Sequence, residues 1–218
     1  MRLPVDQEIS VDLIEAMRYL GAKNGADIFD DLYAASKTLQ AALAPAAAAV
    51  AIPLVFNHQA VFINGFLLHG SAIFNHLAGC SHCVIMGVTL GFEVDRLINS
   101  KGHISPYQAM LFDACATAAV ESLADMAAAQ LTDTVLWQGA QLTGRFSPGY
   151  GDFPLETQQP LLDILDARRL IGLSLTRSHI LTPAKSVTAL IGVSENICNT
   201  PAAGCKNCSC QDRCIYRK

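Results

Sequence analysis

The chain has 218 residues, the length of one domain or of one domain with a small appendage. Hydrophobic residues make up 51% and charged residues 16% of the sequence, so a large core can be buried and extensive disorder is not expected. With 15 basic and 19 acidic residues the net charge is −4, which provides no basic field for a nucleic-acid backbone.

No segment has the character of a membrane anchor. The first residues lack the apolar region of a secretion signal. The longest apolar run, 41–56, is mostly alanine and contains Pro45 and Pro53, whereas a spanning helix needs about 20 apolar residues. We therefore expect a cytoplasmic protein without a membrane span, in which this run forms a helix end followed by a buried strand.

Helical spacing of apolar residues predicts three helices in the first part of the chain. The first covers residues 10–20, with Asp12 in its first turn, and Gly21 ends it. The second covers residues 26–43, with apolar side chains along one face. A third and shorter helix is expected at 71–77.

Segments rich in Val, Ile and Phe predict the first strands. Residues 50–55 and 60–68 flank a turn that begins at Asn57, so these two strands are expected to form a hairpin. Pro53 either argues against the first of these strands or places it at a sheet edge. The segment 83–91 is nearly all apolar, which is typical of a central strand covered on both faces.

The longest predicted helix begins after Ser105, a good N-cap residue, and has Pro106 at its first position. It continues to about Leu131, and its many alanines permit the close approach of another helix or of a ligand. A loop of Gly, Ser, Pro and Tyr follows at 142–151, and a short helix is expected at 155–166.

The last predicted strands show alternation of apolar and polar residues. They cover 173–181 and 187–193 and are expected to pair as a second hairpin. Together these elements predict an α+β fold with a mixed or antiparallel twisted sheet and flanking helices. We divide the chain into a domain at 1–194 and a cysteine-rich tail at 195–218, because the composition changes after residue 194.

The loop at 144–152 is the most informative segment for function. It places three glycines, a proline, two aromatic residues and an arginine within nine residues. Glycines let a backbone approach a ligand closely, the fork of Arg145 suits a carboxylate, and Tyr150 offers a ring and a hydroxyl. The loop therefore suits a ligand that resembles an amino acid. The alternative is a tight turn whose arginine makes a surface ion pair.

Glu121 is the second candidate, because it lies in a helix that is otherwise apolar and small. A carboxylate that faces a cavity there could hold the ammonium or sulfonium group of a ligand by charge. The alternative is that Glu121 lies on the solvated stripe of an amphipathic helix.

These residues carry a family resemblance. Residues 145–150, Arg-Phe-Ser-Pro-Gly-Tyr, resemble the Arg-x-x-x-Gly-Tyr signature of the activation domain of cobalamin-dependent methionine synthase. Four other segments are similar to that family in the same order, and the similarity extends over about residues 9–194. These segments are 88–91, 120–125, 175–178 and 183–188.

The resemblance implies a C-shaped α+β fold that binds S-adenosylmethionine along this loop and the neighbouring helix. Arg145 matches the arginine that pairs with the ligand, and Tyr150 matches the signature tyrosine. Ser147 and Gly149 match loop positions whose backbone contacts the ligand, and Glu121 matches a helix glutamate near it.

The same resemblance implies a role in methyl transfer. Such a domain presents its methyl donor to a cobalamin, and reduction with methylation restores methylcobalamin from cob(II)alamin. The sequence contains no corrinoid-binding domain, so the cobalamin is expected on a partner, either a methionine synthase or a related corrinoid protein, with a separate electron donor. The chain would contribute proximity rather than acid–base catalysis, as an accessory subunit of the methyltransferase.

The tail contains a C-x2-C-x-C-x3-C pattern. Four thiolates at this spacing can bind one tetrahedral zinc ion or an iron–sulfur cluster. The alternative is a reduced tail without metal. A cluster there would serve the electron-delivery step. The candidate ligands are Cys205, Cys208, Cys210 and Cys214.

Other functions remain open from the sequence. In one alternative the chain is a thiol- or metal-based redox protein, whose tail is the working site and whose body is a scaffold. In another it is an assembly subunit without catalysis. Cys80 and Cys83 form a further C-x2-C pair, but they lead into an apolar strand and are expected to be buried as small hydrophobic residues.

Overall fold

The computed structural model describes residues 1–22, 26–58, 60–133 and 139–194. Within these ranges the chain forms a seven-stranded sheet and a separate two-stranded sheet, and every strand pair is antiparallel. Helices lie on both faces of the larger sheet, so the predicted α+β fold with flanking helices is confirmed. The tail at 195–218, with its candidate metal ligands, lies outside the described residues.

The strands are β1 Arg2–Leu3, β2 Ala46–Asn57, β3 Ala60–Ile63, β4 Phe66–Leu68, β5 His82–Thr89, β6 Gln141–Leu142, β7 Ser174–Leu175, β8 Leu181–Thr182 and β9 Ser186–Ser194. The helices are α1 Leu13–Tyr19, α2 Ala26–Gln40, α3 Ser71–Leu77, α4 Phe92–Ile104, α5 Pro106–Thr132, α6 Gln158–Leu165 and α7 Ala167–Ile171.

The order of the large sheet is β4-β3-β2-β5-β9-β6, with β1 also paired to β2. The central strand β5 is buried on both faces from Cys83 to Thr89. Met86 and Val88 face one hydrophobic core, while Cys83 and Ile85 face the other. This alternation explains the continuous apolar run, and the prediction of a central strand covered on both faces is confirmed.

The two cores are covered by different helices. The first core contains buried residues of α1, α2, α4 and α5, and the second contains residues of α3, α6 and α7. Helix α5 begins at Pro106, as predicted, and Ser105 occupies its N-cap position without a capping side-chain hydrogen bond. Helix α1 is capped by Asp12, whose carboxylate accepts hydrogen bonds from the amides of Ile14 and Glu15.

Pro53 lies in an interior strand, so its expected place at a sheet edge is wrong. Strand β2 pairs with β5 along 46–53. The amide of Leu54 donates to Ser81, on the β5 side, so the nitrogen of its neighbour Pro53 points the other way. On that side β1 pairs only with Ala47 and Ala48, and β3 begins pairing at Leu54. The N–H that Pro53 lacks would therefore face a gap between β1 and β3, and its absence removes no hydrogen bond from the sheet.

The single strand expected at 60–68 is two strands. The β2–β3 hairpin forms as predicted, but β3 then turns back into β4 at Asn64-Gly65. Both turn residues have positive φ, 48° and 79°, as a tight hairpin turn with a right-handed twist requires. The Asn-Gly dipeptide was the sequence signal for this turn.

The second predicted hairpin is wrong. Strand β9 pairs with β5 and β6 in the large sheet, whereas β7 pairs with β8. Alternation had indicated strands, but it does not identify the partner of a strand. Helices α4 and α7 were not predicted; Gly102 and the polar pair Asn99 and Ser100 weaken the helical pattern of α4.

Membrane-spanning character is not found in the described ranges, where no helix has both the length and the apolar surface that a bilayer crossing requires. The long helix α5 contributes its apolar face to the first core instead.

Two glycine-to-alanine substitutions should change stability in opposite directions. A Cβ at Gly102 meets Ala109 at an ordinary 3.6 Å, so Gly102→Ala should raise the free energy of unfolding by about 0.5–1 kcal/mol through helix propensity. A Cβ at Gly192 would lie 2.6 Å from the Cys80 sulfur, so Gly192→Ala should lower it by about 1–3 kcal/mol. Urea unfolding of both variants measures this, and equal stability of the two would contradict the packing described for β9.

Candidate functional site

Helix α5 presents a row of polar side chains at intervals of four residues. Asp113, Thr117, Glu121 and Asp125 follow one another along the same side of the helix, because residues four apart lie one above the other. The alanines between them are buried in the first core. The helix is thereby held with its small residues against the sheet and its carboxylates at the surface.

The loop that carries Arg145 is fixed to β9 by backbone pairing. Phe146 and Leu190 exchange two hydrogen bonds, of 2.9 Å and 2.8 Å between nitrogen and oxygen. The amide of Thr143 donates to Gly192, and its hydroxyl accepts from the amide of Gly192 at 2.8 Å. The residues on both sides of Arg145 are therefore fixed relative to the sheet.

His76 on α3 supports the same loop from the second core. Its Nε2 lies 3.0 Å from the carbonyl oxygen of Gly144 and 2.9 Å from the hydroxyl of Thr143. The imidazole also stacks on the ring of Phe146, with centroids 4.7 Å apart. Burial lowers the pKa of His76 below its ordinary value of 6.5, and the hydrogen bond to Gly144 opposes this only in part.

Asp152 connects the far end of the loop to the start of α3. Its carboxylate accepts from the amide of Ala72 at 2.8 Å, and from the hydroxyl and amide of Ser71 at 2.8 Å and 2.7 Å. These hydrogen bonds hold the pKa of Asp152 below its ordinary range. Gly70 precedes the helix with φ 119°, and a Cβ there would lie 2.8 Å from the Asp152 carbonyl oxygen. The close approach requires glycine.

Arg145 and Glu121 meet in the structure. The Nη2 of Arg145 donates to the carboxylate of Glu121 at 2.9 Å and to that of Asp125 at 2.8 Å. The arginine side chain is 23% exposed, the glutamate 43% and the aspartate 74%. The ion pair considered as the alternative for Arg145 is therefore present, and it is made with the same helix glutamate that was singled out from the sequence.

The other predicted ligand residues lie in the turn that follows Arg145. Gly149 has φ 93° and donates its amide to Phe153 at 2.8 Å, and the amide of Tyr150 donates to Ser147 at 3.1 Å. These two N–H groups are already used within the loop. The ring of Tyr150 packs edge-on against Phe146 and is 53% exposed. Any contact of Gly149 or Tyr150 with a ligand would have to use other atoms.

Asp125 in the polar row, and Lys185 beside it, were not singled out from the sequence. Asp125 follows Glu121 by four residues, and that spacing was the available signal. Lys185, just before β9, donates to Asp113 and to Thr117, each at 2.8 Å. The row on α5 therefore meets a cation at two points, Lys185 at one end and Arg145 at the other.

The cysteines of the described residues are buried. Cys80 and Cys83 lie in the interior and form no disulfide, and both are buried as predicted for small hydrophobic residues. Burial, and to a smaller degree Cys80, raises the pKa of Cys83 to about 12, which keeps it protonated. Within the described ranges no three His, Cys, Asp or Glu side chains are grouped as a metal site would require.

Comparison with known proteins supports the fold. No family model and no curated protein matches the sequence. A crystal structure of the MetH reactivation domain bound to AdoHcy is similar to this one, with a TM-score of 0.56 and 17% sequence identity. The similarity covers 88% of this chain and 69% of that chain. At this identity, it is the fold that the two proteins share.

The pKa of His76 predicts a pH dependence of stability. Because burial favours the neutral imidazole, the unfolded chain takes up its proton first, and stability is lost as the pH falls below 6.5. Between about pH 7.5 and pH 5.5 the wild type should lose up to about 1.4 kcal/mol more than His76→Gln, which keeps a donor for Gly144 but does not titrate. Asp152 does not interfere with this comparison. Its pKa is held below the ordinary value of 3.8, so its contribution to stability is lost only when the pH falls below 3.8.

Urea titrations of both proteins at the two pH values measure this difference. An equal loss of stability in the wild type and in His76→Gln would show that His76 is not held neutral beneath the loop.

Proposed function

We propose that this chain binds S-adenosylmethionine at Arg145 and Glu121, and that it supports the reductive methylation of a cobalamin held by a partner protein. The observation that carries the proposal is the meeting of these two side chains at one place. They are 24 residues apart in sequence, and the fold is shared with a reactivation domain that was crystallised with AdoHcy.

The charges of the site fit the amino-acid end of such a ligand. A guanidinium binds a carboxylate through two parallel hydrogen bonds, and a carboxylate on the neighbouring helix can accept from an ammonium group. Arg145 is largely covered by protein, where charge-assisted hydrogen bonds are less screened by solvent than at an open surface. The site would thus select a zwitterionic amino acid over a neutral nucleoside.

The fixed loop suits a role in presenting the ligand. The backbone around Arg145 is bonded to β9 on one side and supported by His76 on the other. Orientation of a bound donor toward a second reactant is a contribution that a rigid site can make without acid–base groups. The donor itself supplies the methyl group, and the partner supplies the cobalamin. The residues of this chain bind the donor and orient it toward the cobalamin.

The first test is the binding of S-adenosylmethionine to the full chain by titration calorimetry. Arg145→Ala should weaken binding at least tenfold, which corresponds to about 1.4 kcal/mol, because the carboxylate of the ligand loses its partner. Arg169→Ala is the matched control, since Arg169 on α7 forms an exposed ion pair with Asp166, just before that helix, and its loss should leave binding unchanged.

Negligible heat of binding in both the wild type and Arg145→Ala would contradict the proposal, because the site would then not bind this ligand. That result would favour the alternative in which the chain is a thiol- or metal-based redox protein.

The cysteine tail completes the proposal. We propose that Cys205, Cys208, Cys210 and Cys214 hold a metal ion or an iron–sulfur cluster. The support is their spacing alone. A cluster, unlike a zinc ion, could pass an electron to the reductive step.

Metal analysis of anaerobically purified protein tests the tail. The wild type should contain stoichiometric iron or zinc, and replacement of all four cysteines by serine should remove it. Cys115→Ala is the control, because Cys115 is buried beside α2 and should have no part in the site. Wild-type protein without either metal would overturn the assignment.

A further inference from the structure

Both hydrogens of one nitrogen of Arg145 are already in use. Nη2 carries two N–H groups, and it donates to Glu121 at 2.9 Å and to Asp125 at 2.8 Å. A carboxylate binds an arginine bidentately either through Nε and Nη2 or through Nη1 and Nη2. Each arrangement needs one hydrogen of Nη2. A ligand carboxylate can therefore bind Arg145 in this way only if Glu121 or Asp125 gives up its bond.

Asp125 and Glu121 differ in how easily each can release its hydrogen bond from Arg145. The side chain of Asp125 is 74% exposed, so water replaces its partner at little cost. Glu121 is 43% exposed and lies one helical turn closer to the start of α5, beside the buried alanines. Since water solvates the aspartate more fully than the glutamate, Asp125 is the carboxylate that a ligand displaces first.

We infer that Asp125 is a built-in competitor for the ligand carboxylate at Arg145. The inference rests on the proposed function and adds a residue that sets its affinity. In the absence of ligand, Asp125 and Glu121 together neutralise and orient a guanidinium that is only 23% exposed. When ligand binds, its carboxylate replaces that of Asp125, while Glu121 stays on α5 to accept the ligand ammonium.

This exchange has a consequence for selectivity. A ligand that carries a carboxylate restores the charge balance around Arg145 after displacing Asp125. A ligand without a carboxylate has no group to make the exchange, and the guanidinium keeps its two protein partners. The site therefore discriminates by the carboxylate itself rather than by the nucleoside.

The experiment compares two ligands on two variants of the full chain. S-adenosylmethionine and its decarboxylated form share the nucleoside, the sulfonium and the ammonium, and differ in the carboxylate. Asp125→Asn removes the competing charge and retains the size of the side chain. Asp133→Asn, at the exposed C-terminal end of α5, is the matched control for the change in net charge.

Asp125→Asn should tighten binding of S-adenosylmethionine by about two- to fivefold, the range that breaking an exposed ion pair provides. Binding of the decarboxylated ligand should stay the same or weaken, and Asp133→Asn should change neither. Unchanged or weaker binding of S-adenosylmethionine by Asp125→Asn would overturn the inference while leaving the proposed function intact. Absence of binding by the wild type would overturn the proposed function, and the inference with it.

Discussion

The guanidinium of Arg145 joins the two parts of the molecule on which the site depends. Its backbone belongs to a loop paired with β9, and its Nη2 reaches two carboxylates of α5. The arginine side chain is 23% exposed and therefore only partly solvated, so a negative partner stabilises its charge. The sheet and the long helix are thereby held in a fixed relation at this point.

The rest of the fold serves to hold that loop. Strand β9 supplies the hydrogen bonds to Phe146, and α3 supplies His76 beneath it. Asp152, at the other end of the loop, accepts a hydrogen bond from the first turn of α3 and so attaches that end of the loop to the helix. Since α3 belongs to the second core and α5 to the first, the loop is held by elements packed on opposite faces of the sheet. A ligand bound there would meet a preformed surface.

The sequence predicted what depends on local pattern. Periodicity located α1, α2 and α5, and the apolar run located β5 as a covered strand. The alternation of apolar and polar residues did not identify the strand that pairs with β9, because alternation defines the two faces of a strand and not its neighbour. The Asn64-Gly65 turn had a clear signal, but the surrounding run of apolar residues was read as one strand.

The same distinction applies to the site. Arg145 and Glu121 could be named from their residue types and from the family resemblance, since each stands out in its own segment. The contact of His76 with Gly144 joins residues 68 positions apart, and no local pattern indicates it. Asp125 was visible in the sequence, but the role proposed for it follows only from the nitrogen of Arg145 that it shares with Glu121.

The most direct measurement is a crystal structure of the chain grown with S-adenosylhomocysteine. We expect the ligand carboxylate within about 3 Å of Nη2 of Arg145, its ammonium group beside Glu121, and Asp125 turned toward solvent. A ligand bound elsewhere, with Arg145 still placed between Glu121 and Asp125, would contradict the proposed site.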